Sequence, residues 1–251
     1  MAVAAAASAD VFGRVAVEPA YKAVSAAIER AIVDGSLAAG AALPTEAELA
    51  ERFGVHRSTV REAIRQIEQE GLLQRREGRR LFVCLPGVQD LTPRATRLLL
   101  LQQTPFRDLY ELALALEPVA ARLAAERAQP HDLQALQLNL QATAADADDD
   151  ALHVRLDVEF HALVGRATCN HALMLAREPL GLLYGPPLRR VFAHLPQARQ
   201  RNLDAHRRIV AALEQRDADA AAEWTRKHMI DFKRGFTMAG LDMAAPIELP
   251  S

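Results

Sequence analysis

The sequence predicts a mostly α-helical chain in two parts, an N-terminal winged helix-turn-helix and a C-terminal antiparallel all-α bundle. Three observations predict it. Two apolar stripes at three- and four-residue spacing flank Phe53-Gly54-Val55-His56, with glycine where a helix C-terminus wants left-handed backbone. Two short apolar runs, Leu72-Leu73 and Leu81-Phe82-Val83, then enclose Arg75-Arg76-Glu77-Gly78-Arg79-Arg80, the pattern of a basic hairpin. Beyond Pro105 the periodicity is helical almost without relief, and no strand candidate interrupts it.

Taken in order, residues 1–17 are alanine-rich, without the basic start or apolar core of a signal peptide, and are expected to be a disordered tail. Residues 18–84 form the first domain. Pro19 suits the first position of a helix through Val33, with Val24, Ile28 and Ile32 on one face and Asp34-Gly35 as its stop. Thr45 and Glu48 form a capping box for a helix whose apolar side is Leu49, Ala50 and Phe53. Val60, Ile64 and Ile67 turn the next helix inward, and Gly71 ends it. Residues 85–104 read as a linker, with Leu85-Pro86-Gly87, and a short helix from Thr92-Pro93 to Leu101.

Residues 105–240 are the bundle. Helices are expected over 106–128, from Pro130 to about 145, over 151–167, over 170–183 with an interruption near Pro179, from Gly185-Pro186-Pro187 to about 194, over 196–215, and over 218–238. Acidic residues 146–150 place negative charge at the N-terminus of the following helix. Residues 241–251, with two prolines, are expected to be a second loose tail.

Composition narrows the functional classes. Half of the 251 residues are apolar but only 5% are aromatic, and no apolar run is long enough to span a bilayer, so no membrane partner is expected. Two cysteines, Cys84 and Cys169, cannot build a disulfide framework; a reducing cytoplasm and a role as small buried hydrophobes are the simple readings. The chain carries a net charge of −2, yet from Arg52 to Arg80 eight arginines face Glu62, Glu68, Glu70 and Glu77. A basic island on a near-neutral chain is an electrostatic footprint for nucleic acid. With Val60, Ile64 and Ile67 inward, Ser58, Glu62, Arg65 and Gln66 face outward and Arg61 flanks them. Arg57, Ser58 and Thr59 occupy the first turn, where short hydroxyls and arginines suit phosphates and guanine edges of double-stranded DNA. Arg79 extends the basic surface at the wing tip.

A second constellation lies in the bundle. Asp157 and His161 are four apart and share a helix face. His206 and His228 lie on either side of the hairpin at Arg216-Asp217, each about eleven residues or roughly 16 Å from the turn at 1.5 Å per residue, so two antiparallel helices bring them level. One carboxylate and three imidazoles inside an apolar bundle suit a divalent metal ion: Zn, Ni, Mn or Fe. A lone helical histidine is ordinarily at the surface or capped, and His131, His153, His171 and His194 are read as structural or solvated.

These residues carry a resemblance. Ile32 to Leu37 with Gly40, then Leu43-Pro44 through Phe53-Gly54-Val55 to Val60-Arg61-Glu62-Ala63, are similar to the GntR family of bacterial winged-helix transcription regulators. The resemblance implies operator contacts from Arg57, Ser58, Thr59 and Arg61, and approach of Gly78 to the minor groove. Ala47, His56 and Arg80 depart from the family pattern, at positions where an arginine, a serine or threonine, and a glycine are common. The second half, from LALALEPVAARLAAERA at Leu112 to Ala128 through Asp157 to His161 and Asn170 to the two later histidines, resembles the FCD effector domain of the FadR-type branch. That implies metal ligands at Asp157, His161, His206 and His228 and a small carboxylate effector beside them. The arginine that often pairs with such an effector is replaced by Ala113, so either another cation substitutes, with Arg189 or Arg190 as candidates, or the effector is not a simple carboxylate; Asn170 is a further candidate polar group of the pocket.

The reading is a dimeric, effector-controlled repressor whose two recognition helices lie one helical turn apart on a palindrome. Two other classes are a metal-sensing regulator and a metalloenzyme with an appended nucleic-acid module. The sequence offers no general-base motif, nucleophile signature or phosphate loop for the enzyme, so no catalytic role is expected.

Overall fold

The structure, a computed structural model, describes residues 18–76, 80–85, 87–145 and 149–248. The expectations for residues 1–17, Gly78, Arg79, the acidic residues 146 and 148, and residues 249–251 lie outside the described residues. The chain divides into two compact units that meet between Gly87 and Val88.

In the first unit, α1 (Ala20–Val33), α2 (Glu46–Phe53) and α3 (Arg57–Gln69) precede an antiparallel pair, β1 (Leu73–Arg76) and β2 (Arg80–Val83). The capping box forms: Thr45 N donates to Glu48 Oε2 at 2.7 Å and Glu48 N donates back to Thr45 Oγ1 at 3.3 Å. Gly54 closes α2 with φ 66°, a left-handed conformation that a side chain would oppose. Val60, Ala63, Ile64 and Ile67 are wholly buried against Val24, Ile28 and Ile32 of α1 and Leu73, Leu81 and Val83 of the sheet. Phe53 departs from its expected place: its ring is exposed, and Leu49 and Ala50 alone carry the buried side of α2. The strands also reach further into the basic hairpin than their apolar residues suggested, since backbone pairing runs to Arg76↔Arg80. Leu43 N donates to Leu81 O, and Val83 N donates to Ala41 O, so the stretch before α2 covers the free edge of β2.

The second unit is an all-α bundle: α4 (Val88–Leu101), α5 (Phe106–Arg127), α6 (Pro130–Ala145), α7 (Asp150–Ala167), α8 (His171–His194), α9 (Gln197–Glu214) and α10 (Ala218–Met238). Asp149 caps α7 by accepting from Ala151 N and Leu152 N. Fully buried Ala120, Ala121, Ala124 and Ala125 let α5 lie close to its neighbours. Helix α8 corrects the expected break, because it continues through Pro179, Pro186 and Pro187. An interior proline costs about 3 kcal/mol of helix. Here Leu180, Leu183, Leu188, Val191 and Phe192 are buried across the same stretch, and their packing outweighs that local cost.

The expected loose tail is also corrected over residues 241–248. Phe106 N donates to Ala245 O, Arg107 N to Met243 O and Ile247 N to Thr104 O, and Ile247 is buried. Pro105 offers no side chain to cap α5, so the returning chain supplies acceptors for the orphan N–H groups of its first turn. Cys169 is exposed in the α7–α8 turn at φ 50° and Cys84 is half-buried, so neither is a core residue. No helix among the described residues is long and apolar enough to cross a membrane.

Candidate functional site

Helix α3 presents Arg57, Ser58, Arg61 and Arg65 to solvent, with Thr59 half-buried beside them. No side chain caps its N-terminus, because His56 stands there and makes no capping bond. A first turn with free N–H groups and exposed arginines suits phosphate. Thr45, Arg52, Arg57, Arg61, Arg75 and Arg80 line one broad concavity. Arg61 pairs with Glu46 at 3.1 Å and Arg75 with Glu68 at 2.9 Å; exposed pairs of this kind contribute about 0–1 kcal/mol and can be exchanged for phosphate contacts.

In the bundle, Asp157 and His161 project from one face of α7, His206 from α9 and His228 from α10. One ligand atom from each lies within 4.8 Å of the others. His161 Nε2 is 3.2 Å from His228 Nε2. His206 is buried, with its ring stacked on Phe160 at 3.7 Å. Its Nε2 lies 3.4 Å from Asp157 Oδ1 but without hydrogen-bond alignment, so a fully buried nitrogen has no partner. Asn202 Nδ2 donates to the same Asp157 oxygen at 2.7 Å and fixes the carboxylate.

Burial keeps two of the three imidazoles, His206 and His228, neutral, with nitrogen lone pairs available. Burial, and then the neighbouring His161, pushes His228 down to about 3. Burial also holds His206 well below the usual imidazole range, helped by His228 and His161. Burial raises the Asp157 carboxyl. Burial alone would lower His161, but the Glu117 carboxylate raises it. Burial would likewise raise Glu117, yet His161 and Arg177 beside it bring it down to about 2. Glu117 Oε2 lies 3.0 Å from His161 Nδ1, the arrangement that places the imidazole proton on Nδ1 and turns Nε2 toward a cation.

Beside the cluster is a cavity of about 40 Å³. Asp157, His161 and His228 share its lining with Glu117, Arg177, Tyr184 and Asn202, and with Val158, Leu180, Leu188, Met229 and Phe232. The structure therefore brings together the four expected ligands but not the three expected effector contacts. Asn170 caps α8 by accepting from Leu173 N. Arg189 is exposed, and Arg190 is exposed and paired with Glu248. The cation that lines the cavity, as Ala113 also does, is Arg177. Glu117, Arg177 and Asn202 were not anticipated, although each interrupts a buried stripe: Ala113-Glu117-Ala120, Leu173-Arg177-Leu180 and Ala198-Asn202-His206. His153, expected to be unremarkable, is buried edge-on to Phe192 with Nδ1 unpartnered.

Comparison with known proteins places both halves. The family described as bacterial regulatory proteins, gntR family, matches residues 20–83, and the FCD domain matches residues 108–231. The Glc operon transcriptional activator of Escherichia coli K12 is 29% identical over 225 residues, which cover 86% of this chain and 88% of that protein. The HTH-type transcriptional repressor NanR of Salmonella newport is 29% identical over 201 residues, covering 76% and 75%. Among solved structures, Streptococcus agalactiae GntR superposes with a TM-score of 0.62 at 28% identity, over 85% of this chain and 99% of that one.

Proposed function

The chain belongs to the GntR family, as a DNA-binding transcription regulator with a C-terminal FCD effector domain, and from that premise we propose that it is a dimeric cytoplasmic repressor whose operator affinity is set by a small carboxylate bound beside a divalent cation. The observation that carries the reading is the orphaned Nε2 of His206, aimed into three further ligating atoms deep inside an apolar bundle. A nitrogen sealed from water without a partner costs about 1–3 kcal/mol, and a cation removes that penalty. The donor set of three imidazoles and one carboxylate fits Zn, Ni, Mn or Fe. Asp157, His161, His206 and His228 would hold the ion, which when bound supplies positive charge and open positions for an anion. Glu117 and Asn202 orient the ligands, and the surrounding apolar side chains exclude water. On the DNA side, Arg57, Ser58, Thr59, Arg61 and Arg65 read and grip the major groove, with Gly78 and Arg79 of the wing toward the minor groove. Effector acts only through a difference in affinity between the DNA-bound and released states.

The test starts from duplexes selected out of a random pool by the purified full chain. A palindromic consensus, two chains per duplex by sedimentation, and weaker binding when zinc-loaded protein meets short carboxylic acids are expected. A monomeric complex on a non-palindromic site would refute the dimer. DNA affinity that follows zinc alone, indifferent to every acid, would transfer the signal to the metal.

A further inference from the structure

Arg177 is buried in the bundle, on the lining of the metal-side cavity, and it is the one lysine or arginine among the described residues of that lining. Its position is built. Gly165 of α7 leaves the space for its stem, since a Cβ there would lie 2.9 Å from Arg177 Cδ. Its Nε and Nη2 donate to Glu117 Oε1 at 3.2 and 3.1 Å. The other oxygen of Glu117 serves His161. One carboxylate thus joins the cavity's guanidinium to a candidate metal ligand, with both oxygens committed. The guanidinium is not exhausted, because Nη1 makes no hydrogen bond among the described residues.

The charges then fix what the cavity can take. Around a bound cation, with its ligands deprotonated, Glu117 and Asp157 face a single guanidinium, so the lining itself carries one surplus negative charge. A divalent cation reverses the sign and leaves one surplus positive charge. The space holds roughly three water-sized groups. The rest of the lining, including Val158, Leu180, Met229 and Phe232, offers no second cation.

We propose that Arg177, seated against Gly165 and shared with the metal ligands through Glu117, is the specificity-determining cation of the cavity, and that it selects a short, singly charged carboxylate which binds only to the metal-loaded chain. This rests on the metal reading above. Arg177 takes the anion through its uncommitted edge while Glu117 keeps the guanidinium oriented. A dianion meets only one surplus positive charge and no second cation, so it is discriminated against.

The experiment uses the full chain loaded with zinc, with metal content measured on every sample. Acetate and propionate are compared with malonate and succinate by calorimetric titration, on wild type, Arg177→Gln and Gly165→Ala. Wild type is expected to bind the monocarboxylates more tightly than the dicarboxylates, and chelated wild type to bind neither. Arg177→Gln should lose roughly ten- to hundredfold in monocarboxylate affinity, the worth of a charge-assisted contact. Gly165→Ala keeps every polar group and favours the helix, so it folds even if Arg177→Gln does not, and it should weaken the same binding with zinc retained. Zinc bound stoichiometrically with monocarboxylate affinity unchanged in both variants overturns the role of Arg177 alone. Tighter binding of dicarboxylates, or equal binding by chelated protein, overturns the charge argument. No zinc in wild type overturns the metal reading and this inference with it.

Discussion

His206→Phe separates a metal ligand from an ordinary core histidine. The substitution keeps the ring stacked on Phe160 and removes a buried Nε2 that has no hydrogen bond. In chelator, losing that orphan is worth about 1–3 kcal/mol in favour of the variant, and fitting a slightly larger ring costs about as much, so the two proteins should melt within a few degrees of each other. With zinc at a hundred times the dissociation constant, wild type gains about 2.7 kcal/mol, which at about 2–4 °C per kcal/mol is roughly 5–11 °C. The variant, with three ligands left, should gain little. The assay is differential scanning calorimetry of both proteins in each condition, with elemental analysis of the loaded samples. The decisive quantity is the zinc-induced rise of the variant subtracted from that of wild type. Equal rises would refute His206 as a ligand, and a collapse of the variant already in chelator would mark the imidazole as structural.

Arg57→Ala and Arg61→Ala should each abolish or greatly weaken binding to the selected duplex and lower the salt slope by about 1 per phosphate contact. Helical content and melting point should hardly move, because the Arg61–Glu46 pair is exposed; unchanged gel shifts would remove α3 from the groove. Ile247→Asp puts a charge into the core patch that anchors the returning chain, and should lower stability by about 2–4 kcal/mol, read as urea midpoint; an unchanged midpoint would show the segment to be dispensable. Tyr184 is held well above the ordinary phenol range by burial, then by the nearby Glu117. Its raised folded value means its contribution is complete below about pH 10 and is lost as pH rises beyond it. Absorbance titration at alkaline pH should therefore show a late tyrosine step that coincides with unfolding and is missing in Tyr184→Phe; a wild-type titration complete before unfolding would contradict it.

The winged unit was legible because its signals are local. Capping box, left-handed glycine and inward stripe all act within a few residues, and each is found where the spacing put it. Departures arose where distant chain overrode local preference. Prolines at 179, 186 and 187 argue for breaks, and on an isolated helix they would make them. The apolar side chains between them are buried against α5 and α10, which nothing in the local sequence reports. The same holds for residues 241–248. Their composition reads as loose chain, and their order comes from unsatisfied N–H groups more than a hundred residues earlier.

The candidate site divides along a similar line. Asp157, His161, His206 and His228 could be brought together from helix spacing and one hairpin turn, because imidazoles at matching heights are a pattern in the sequence itself. Arg189 and Arg190 stand on the exposed face of α8, and neither lines the cavity. The polar residues that do line the cavity stand where the helix period demands an apolar one. Glu117 falls on the stripe of Ala113, Ala120 and Ala124, and Arg177 on that of Leu173 and Leu180. A carboxylate or guanidinium in such a place must find a partner or cost several kcal/mol. Two of them on facing helices imply each other. Their pairing at 3.1 Å ties the cavity's one guanidinium to the carboxylate that orients His161, so removal of the Glu117 charge should disturb that candidate ligand from outside the metal cluster.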